Sequence, residues 1–151
     1  MDTVSPESRD RTTVDVALLV VRVVVGLIFA VHGAQKLFGA FDGPGIAATA
    51  EMMGAIAYPV AVGEFFGGLG LAVGFLSRFS AASLIVIMIG AIVTVHGKNG
   101  FFLSNGGCEY NIALIGLLLP TLLAGPGRYA IGRLLPLPRS ARTGGVVIAL
   151  Q

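Results

Sequence analysis

Four stretches of this chain run apolar on every side, without the polar face that a helix at the surface of a soluble domain carries. Residues 16–37 (VALLVVRVVVGLIFAVHGAQKL) supply the roughly 20 residues that a helix needs to cross a bilayer. Residues 57–76 predict a second span and residues 79–95 a third, the latter without a charged residue. A fourth, over residues 109–124, is short, and Pro120 predicts a kink in it. Residues 38–56 mix Gly, Pro and two acids with small apolar side chains, which predicts a loop with a short interfacial helix over residues 46–53. Residues 96–109 hold four glycines and two asparagines, a loop composition. Gly125-Pro126-Gly127 closes the last span. Residues 1–15 read as a polar tail and residues 129–151 as a basic, proline-containing one, leaving residues 16–128 as the membrane domain. The first span is too long for a signal-peptide core, and no small-residue cleavage pattern follows it, so it is expected to be retained.

Composition points the same way. The 151 residues are 55% hydrophobic and only 12% charged, with a mean hydropathy of +0.88, whereas a soluble domain carries about 25% charged residues. The lipid bilayer is therefore the expected surroundings. A single cysteine, Cys108, rules out an internal disulfide or a dithiol mechanism within the chain, and no metal-ligand motif is present. The net charge of +2 does not suggest nucleic acid, because the basic residues gather near the chain ends. Their placement speaks to topology instead. Arg9, Arg11, Arg78, Arg128, Arg133, Arg139 and Arg142 fall on one side of the spans, and Lys98 on the other, with Lys36 at a span end. The positive-inside rule then predicts an all-α, four-helix transmembrane bundle with both termini in the cytoplasm.

Depth follows from the helical rise of about 1.5 Å per residue. His32, Lys36, Glu64, His96 and Glu109, from all four spans, are expected at one level near the outer face. Arg22, Gly26, Phe29, Gly33 and Lys36 form one stripe of the first span, with His32 beside it. Glu64, Gly67, Leu71, Gly74 and Arg78 form a stripe of the second. Glycine-lined faces are helix contacts, so charges on them point into the bundle. Two readings of the cluster stand: hydrogen-bonded glue between helices, or the lining of a site. Arg22 likewise either snorkels to the inner surface or makes an internal structural contact. Phe101 and Phe102 either plug the loop into the interface or line a pocket, and Cys108 is expected to be an unreactive small residue.

Taken together, these residues resemble the DoxX family of small four-helix membrane proteins. The resemblance rests on Arg22, Gly26, Phe29, His32-Gly33 and Lys36-Leu37 in the first span, and on Glu64, Gly67-Gly68, Leu71 and Gly74 leading to Arg78 in the second. It continues through His96-Gly97, Gly100-Phe101, Gly107 and Glu109 to Gly125-Pro126-Gly127-Arg128-Tyr129. It covers nearly all of residues 17–129. It implies an integral protein of the bacterial inner membrane, some of whose DoxD-like relatives form the membrane part of a thiosulfate:quinone oxidoreductase. Relatives often carry an Asp after the closing segment, where this chain has Ala130-Ile131-Gly132, and the extended arginine-rich tail is outside the pattern.

The leading expectation is a membrane subunit of an oxidoreductase system that handles a quinone or a sulfur compound. Its site would be built from His32, Lys36, Glu64, His96 and Glu109, with Phe29 and Phe101 against the ligand. A quinone needs hydrogen-bond donors at its two carbonyls and a route for two protons, which these side chains can supply. The electrons must come from elsewhere, since the chain has no flavin fingerprint, metal motif or dithiol, so it is not expected to be a complete enzyme alone. The competing expectation is a scaffold that anchors soluble redox proteins through the basic tail, the polar cluster being structural. A small-solute carrier is a third, which four helices without an inverted repeat support weakly. Glycine faces make a homo-oligomer compatible with all three.

Overall fold

The computed structural model describes residues 6–133, which are helical and contain no strand. Helix α1 covers Pro6–Phe38, α2 Gly45–Met53, α3 Ala57–Val73, α4 Ser77–Ala91 and α5 Glu109–Ala124. The arginines at 139 and 142 of the basic tail lie outside the described residues. Helix α1 starts well before the apolar run at Val16. Pro6 stands at the first helical position, where its missing N–H costs nothing, and no further Pro or Gly interrupts the chain before Gly26. The polar residues ahead of Val16 therefore extend the helix of the span behind them.

Three helical stretches, Asp10–Phe38, Ala40–Val73 and Ser77–Asn99, are long and apolar enough to cross a membrane. The third includes one turn of π-helix, Ile92–His96, at the end of α4. Helix α5, with 16 residues, is shorter; at 1.5 Å per residue it covers about 24 Å of a hydrocarbon core of about 30 Å. Val20, Val24, Leu27, Phe66, Val73, Phe79, Val86, Ile89, Ile112 and Leu123 are all exposed, which gives the bundle an apolar outer surface. The protein is thus a multi-pass membrane protein by length and composition of its helices.

Helix α1 packs on α3, α3 on α4, α4 on α5 and α5 on α1, so the four long helices close a ring, and α2 rests against α1 and α3. The most extensive contact is α1 with α3. Gly26 and Gly68 cause it: a Cβ at Gly26 would stand 2.6 Å from the Gly68 carbonyl oxygen, and one at Gly68 2.6 Å from the Gly26 oxygen. Because lipid is as apolar as leucine, such backbone proximity and interhelical polar contacts, not water exclusion, hold the pair. Between the four helices, Val25, Phe29, Leu71, Ala81, Leu84, Met88, Leu114 and Leu118 fill a buried core.

One end of the ring is sealed by the chain itself. Helix α3 stops in a Schellman motif, with the Phe75 N–H donating to Gly70 O (2.8 Å) and the Gly74 N–H to Leu71 O (3.2 Å). Residues 125–133 fold back over that end. The Arg128 N–H donates to Asp15 Oδ1 (2.9 Å), the Gly132 N–H to Gly74 O (3.1 Å), and Arg78 Nη2 to Leu123 O (3.0 Å). Arg22 lies beneath this strap, 1% exposed. Its guanidinium donates to Leu71 O (3.3 Å), Ala72 O (2.6 Å) and Tyr129 O. Of the two roles open to Arg22 from sequence, the structure shows the internal one. The last carbonyls of a helix lack partners within it and carry the negative end of its dipole, so they suit a cation.

Candidate functional site

At the opposite end the ring does not close. A cavity of about 670 Å³ separates the α1–α3 pair from the α4–α5 pair. Ile28, Phe29, His32 and Lys36 line it from α1, Pro59, Val60 and Glu64 from α3, and Met88, Gly90 and Ala91 from α4. Thr94 and His96 of the π turn and Tyr110, Asn111 and Leu114 of α5 belong to the wall too, as do Met53, Ile56 and the loop residues Leu103 and Gly107. Most of the lining is aliphatic, with the polar groups confined to a few convergent side chains, the usual make-up of a small-molecule site.

The ion pair between Lys36 and Glu64 is the charged feature of that wall. Local sequence positions it: Gly33, one turn before Lys36, brings α1 against the backbone of Phe65, and a Cβ at Gly33 would lie 2.3 Å from the Phe65 nitrogen. Lys36 therefore leaves α1 beside Glu64. The Glu64 side chain is 5% exposed and that of Lys36 24%, so the carboxylate is enclosed while the lysine keeps part of its side chain exposed. A buried carboxylate in apolar surroundings needs such a partner.

The two histidines share a tautomer. His32 Nδ1 lies 2.9 Å from Ile28 O and His96 Nδ1 2.8 Å from Gly106 O. A carbonyl only accepts, so Nδ1 carries the proton in both rings, and Nε2 of the neutral ring is an acceptor. His32 also stacks obliquely on Tyr110, with centroids 6.5 Å apart. The arrangement thus offers an ammonium donor, a carboxylate and two imidazole acceptors around one apolar space.

Of the residues singled out from sequence, His32, Lys36, Glu64, His96 and Phe29 line the cavity, and Phe29 is also part of the core. Glu109 and Phe101 do not. Glu109 is exposed and its Oε2 accepts from the Leu103 N–H (2.9 Å), pinning the loop to the start of α5. Phe101 is 53% exposed, edge-on to Phe102 on the outside of that loop. Cys108 stands at the N-cap position of α5 as a partly exposed free thiol that makes no capping bond. Sequence reading overlooked Tyr110, Asn111 and Thr94. The signal lay in α5, where Tyr110 and Asn111 flank the direction of Leu114 at helical spacing; Glu109, five residues before Leu114, leaves the helix about 140° from it. Asn111 is buried, its Nδ2 3.4 Å from Met88 Sδ.

A family model described as DoxX matches residues 17–97. A protein of Bacillus subtilis (strain 168) named "Putative oxidoreductase CatD" is 31% identical over 107 residues, covering 67% of this chain and 73% of that one. No solved structure matches.

Proposed function

The chain belongs to the DoxX family, and on that premise we propose that it is the membrane subunit of an oxidoreductase system that binds a quinone headgroup in the cavity beside Lys36 and Glu64. The observation that carries the reading is the cavity itself, with apolar walls and a buried, ion-paired carboxylate at its edge. Lys36 Nζ is the donor for one quinone carbonyl. His32 and His96, with Nδ1 occupied, accept or return a proton at Nε2. Glu64 holds Lys36 in place and relays the second proton, while Tyr110 and Asn111 offer further polar contacts on the α5 side. Reduction of a quinone takes two electrons and two protons; the chain handles the protons, and a partner redox protein supplies the electrons. The end bearing Arg11, Arg78, Arg128 and Arg133 is read as cytoplasmic in a bacterial inner membrane, which directs the cavity to the outer leaflet.

The test is purification in mild detergent followed by an absorption spectrum and mass spectrometry of the organic extract and of co-purifying proteins. Quinone is expected in the wild-type extract and is lost in Glu64→Gln inserted at the normal level. A quinone-free wild type arriving with soluble redox proteins would overturn this in favour of the scaffold. A Glu64→Gln protein that retains quinone equally would remove Glu64 from the site.

A further inference from the structure

The buried stripe of α5 is Asn111, Leu114, Leu118 and Thr121. Leu114 and Leu118 belong to the core between the helices. Asn111 takes the next position of that stripe, one that packing alone would give to another leucine, at the point where the stripe enters the cavity. An amide in apolar surroundings is costly unless its donors and its acceptor are met. Here they are poorly met. Nδ2 donates to Met88 Sδ at 3.4 Å, and a thioether is a weak acceptor. Among the described residues the amide makes no other hydrogen bond. Its Oδ1 is not one of the fully enclosed atoms that lack a partner, so the 5% of surface that Asn111 keeps belongs to the cavity it lines.

Packing also fixes its level. Met88 follows Ile87, whose Cδ1 would stand 2.8 Å from a Cβ at Gly63, and Gly63 precedes Glu64. Asn111 and Glu64 therefore lie within about one helical turn, roughly 5 Å, of the same depth. They stand on walls supplied by the two opposite helix pairs, and Phe29 and Leu114, both in the core, close the cavity beneath them. A bond to sulfur adds little to an α4–α5 seam that the leucines already fill.

We propose that Asn111 is a specificity-determining residue of the cavity: it receives the polar group at the far edge of a ligand whose near edge is held by Lys36 and Glu64. This rests on the headgroup reading above and adds to it a required shape, a compact ring with hydrogen-bonding groups on opposite edges. The amide offers a donor and an acceptor side by side, as the Lys36–Glu64 pair does, so either end takes a carbonyl or a hydroxyl. A ligand polar at one edge only leaves the amide against hydrocarbon, and a buried polar group left unpaired is what lets a site reject such a ligand.

The experiment titrates the full chain, in mild detergent under argon, with trimethylhydroquinone and with the trimethylphenol that lacks one of its two hydroxyls, and takes a thermal melt of each variant. Wild type is expected to bind the two-hydroxyl probe at least about tenfold more tightly. Asn111→Leu, which continues the leucine stripe, is expected to bind the two probes alike and to melt at or above wild type, because it replaces a poorly met amide with a side chain suited to the core. Asn111→Ala, a good helix former, reads the same loss of preference should the leucine variant insert poorly. Equal binding of both probes by wild type, or the wild-type preference retained in either variant, overturns the assignment and leaves the headgroup site standing. A clear fall in the melting temperature of Asn111→Leu also overturns it, since that is the mark of a residue kept for the α4–α5 contact. A wild type that binds neither probe removes the headgroup reading and this assignment together.

Discussion

Two cations leave α1 toward α3, one at each end of the same seam, and they are met differently. Arg22 ends against backbone carbonyls at the C-terminus of α3 and in the strap, under a covering segment, with no space around it. Lys36 ends against a side chain, Glu64, on the wall of a cavity. The carbonyls are fixed in charge and position by the helix that bears them. The carboxylate can change its protonation, and its lysine keeps part of its surface in the open space. A cation tied to the main chain holds helices together; one tied to a titratable partner beside a void can also serve a ligand.

Removing Arg22 should have the largest effect. Arg22→Leu leaves the enclosed carbonyls of Ala72 and Tyr129 without this donor, while Leu71 O keeps the Gly74 N–H, at a cost of about 1–3 kcal/mol for each carbonyl left bare. Little monodisperse protein is expected on size exclusion, and what is recovered should melt well below wild type. A stable, fully inserted Arg22→Leu would break the contrast. Gly68→Val comes next: its side chain meets the Gly26 oxygen and the backbone of Phe29 and Ala30, and overpacking of this kind costs about 1–3 kcal/mol. Both ends of the seam should loosen together, seen as faster hydrogen exchange in α1 and α3.

Glu64→Gln should cost about 1 kcal/mol or less, the range measured for polar contacts between membrane helices, yet lose the extracted ligand. A thermal melt paired with the organic extract reads both. A large drop in melting temperature would make this end structural too and erase the difference. Glu109→Gln should have the smallest effect. It weakens the bond to the Leu103 N–H by a fraction of about 1 kcal/mol, leaves ligand content unchanged, and raises exchange only at the Leu103 amide and its loop neighbours.

The bundle was legible because membrane spans declare themselves through unbroken apolar runs, which need no partner to be recognised. The α1 glycine stripe also pointed the right way, since Gly26 and Gly33 meet the backbone of α3; on α3 the contact falls to Gly68, beside the stripe, while Gly67 faces Leu84 of α4. Counting along each helix had put His32, Lys36, Glu64 and His96 together, and all four line the cavity. Rotation was harder. Glu109 falls in the same count but leaves α5 on another face, and only the packing of α4 on α5 tells which face turns inward. The cavity was not readable at all, since an empty space is set by where helices diverge, and Gly90 looks in sequence like any other glycine. Nor could Arg22 be decided, because its acceptors are carbonyls from segments 49, 50 and 107 residues away.

That last separation has a consequence for how the protein is made. Arg22 belongs to the first span to leave the ribosome, and its contact with Tyr129 waits for 107 further residues. At roughly 5–20 residues per second that is on the order of 10 s, during which a guanidinium in the first helix has lipid headgroups and water as its alternatives. The strap is thus a completion mark: until the last span has been threaded and the segment behind it turned back, the first span remains unfinished, and a chain cut short before Tyr129 carries an arginine with a missing acceptor for membrane proteases to find.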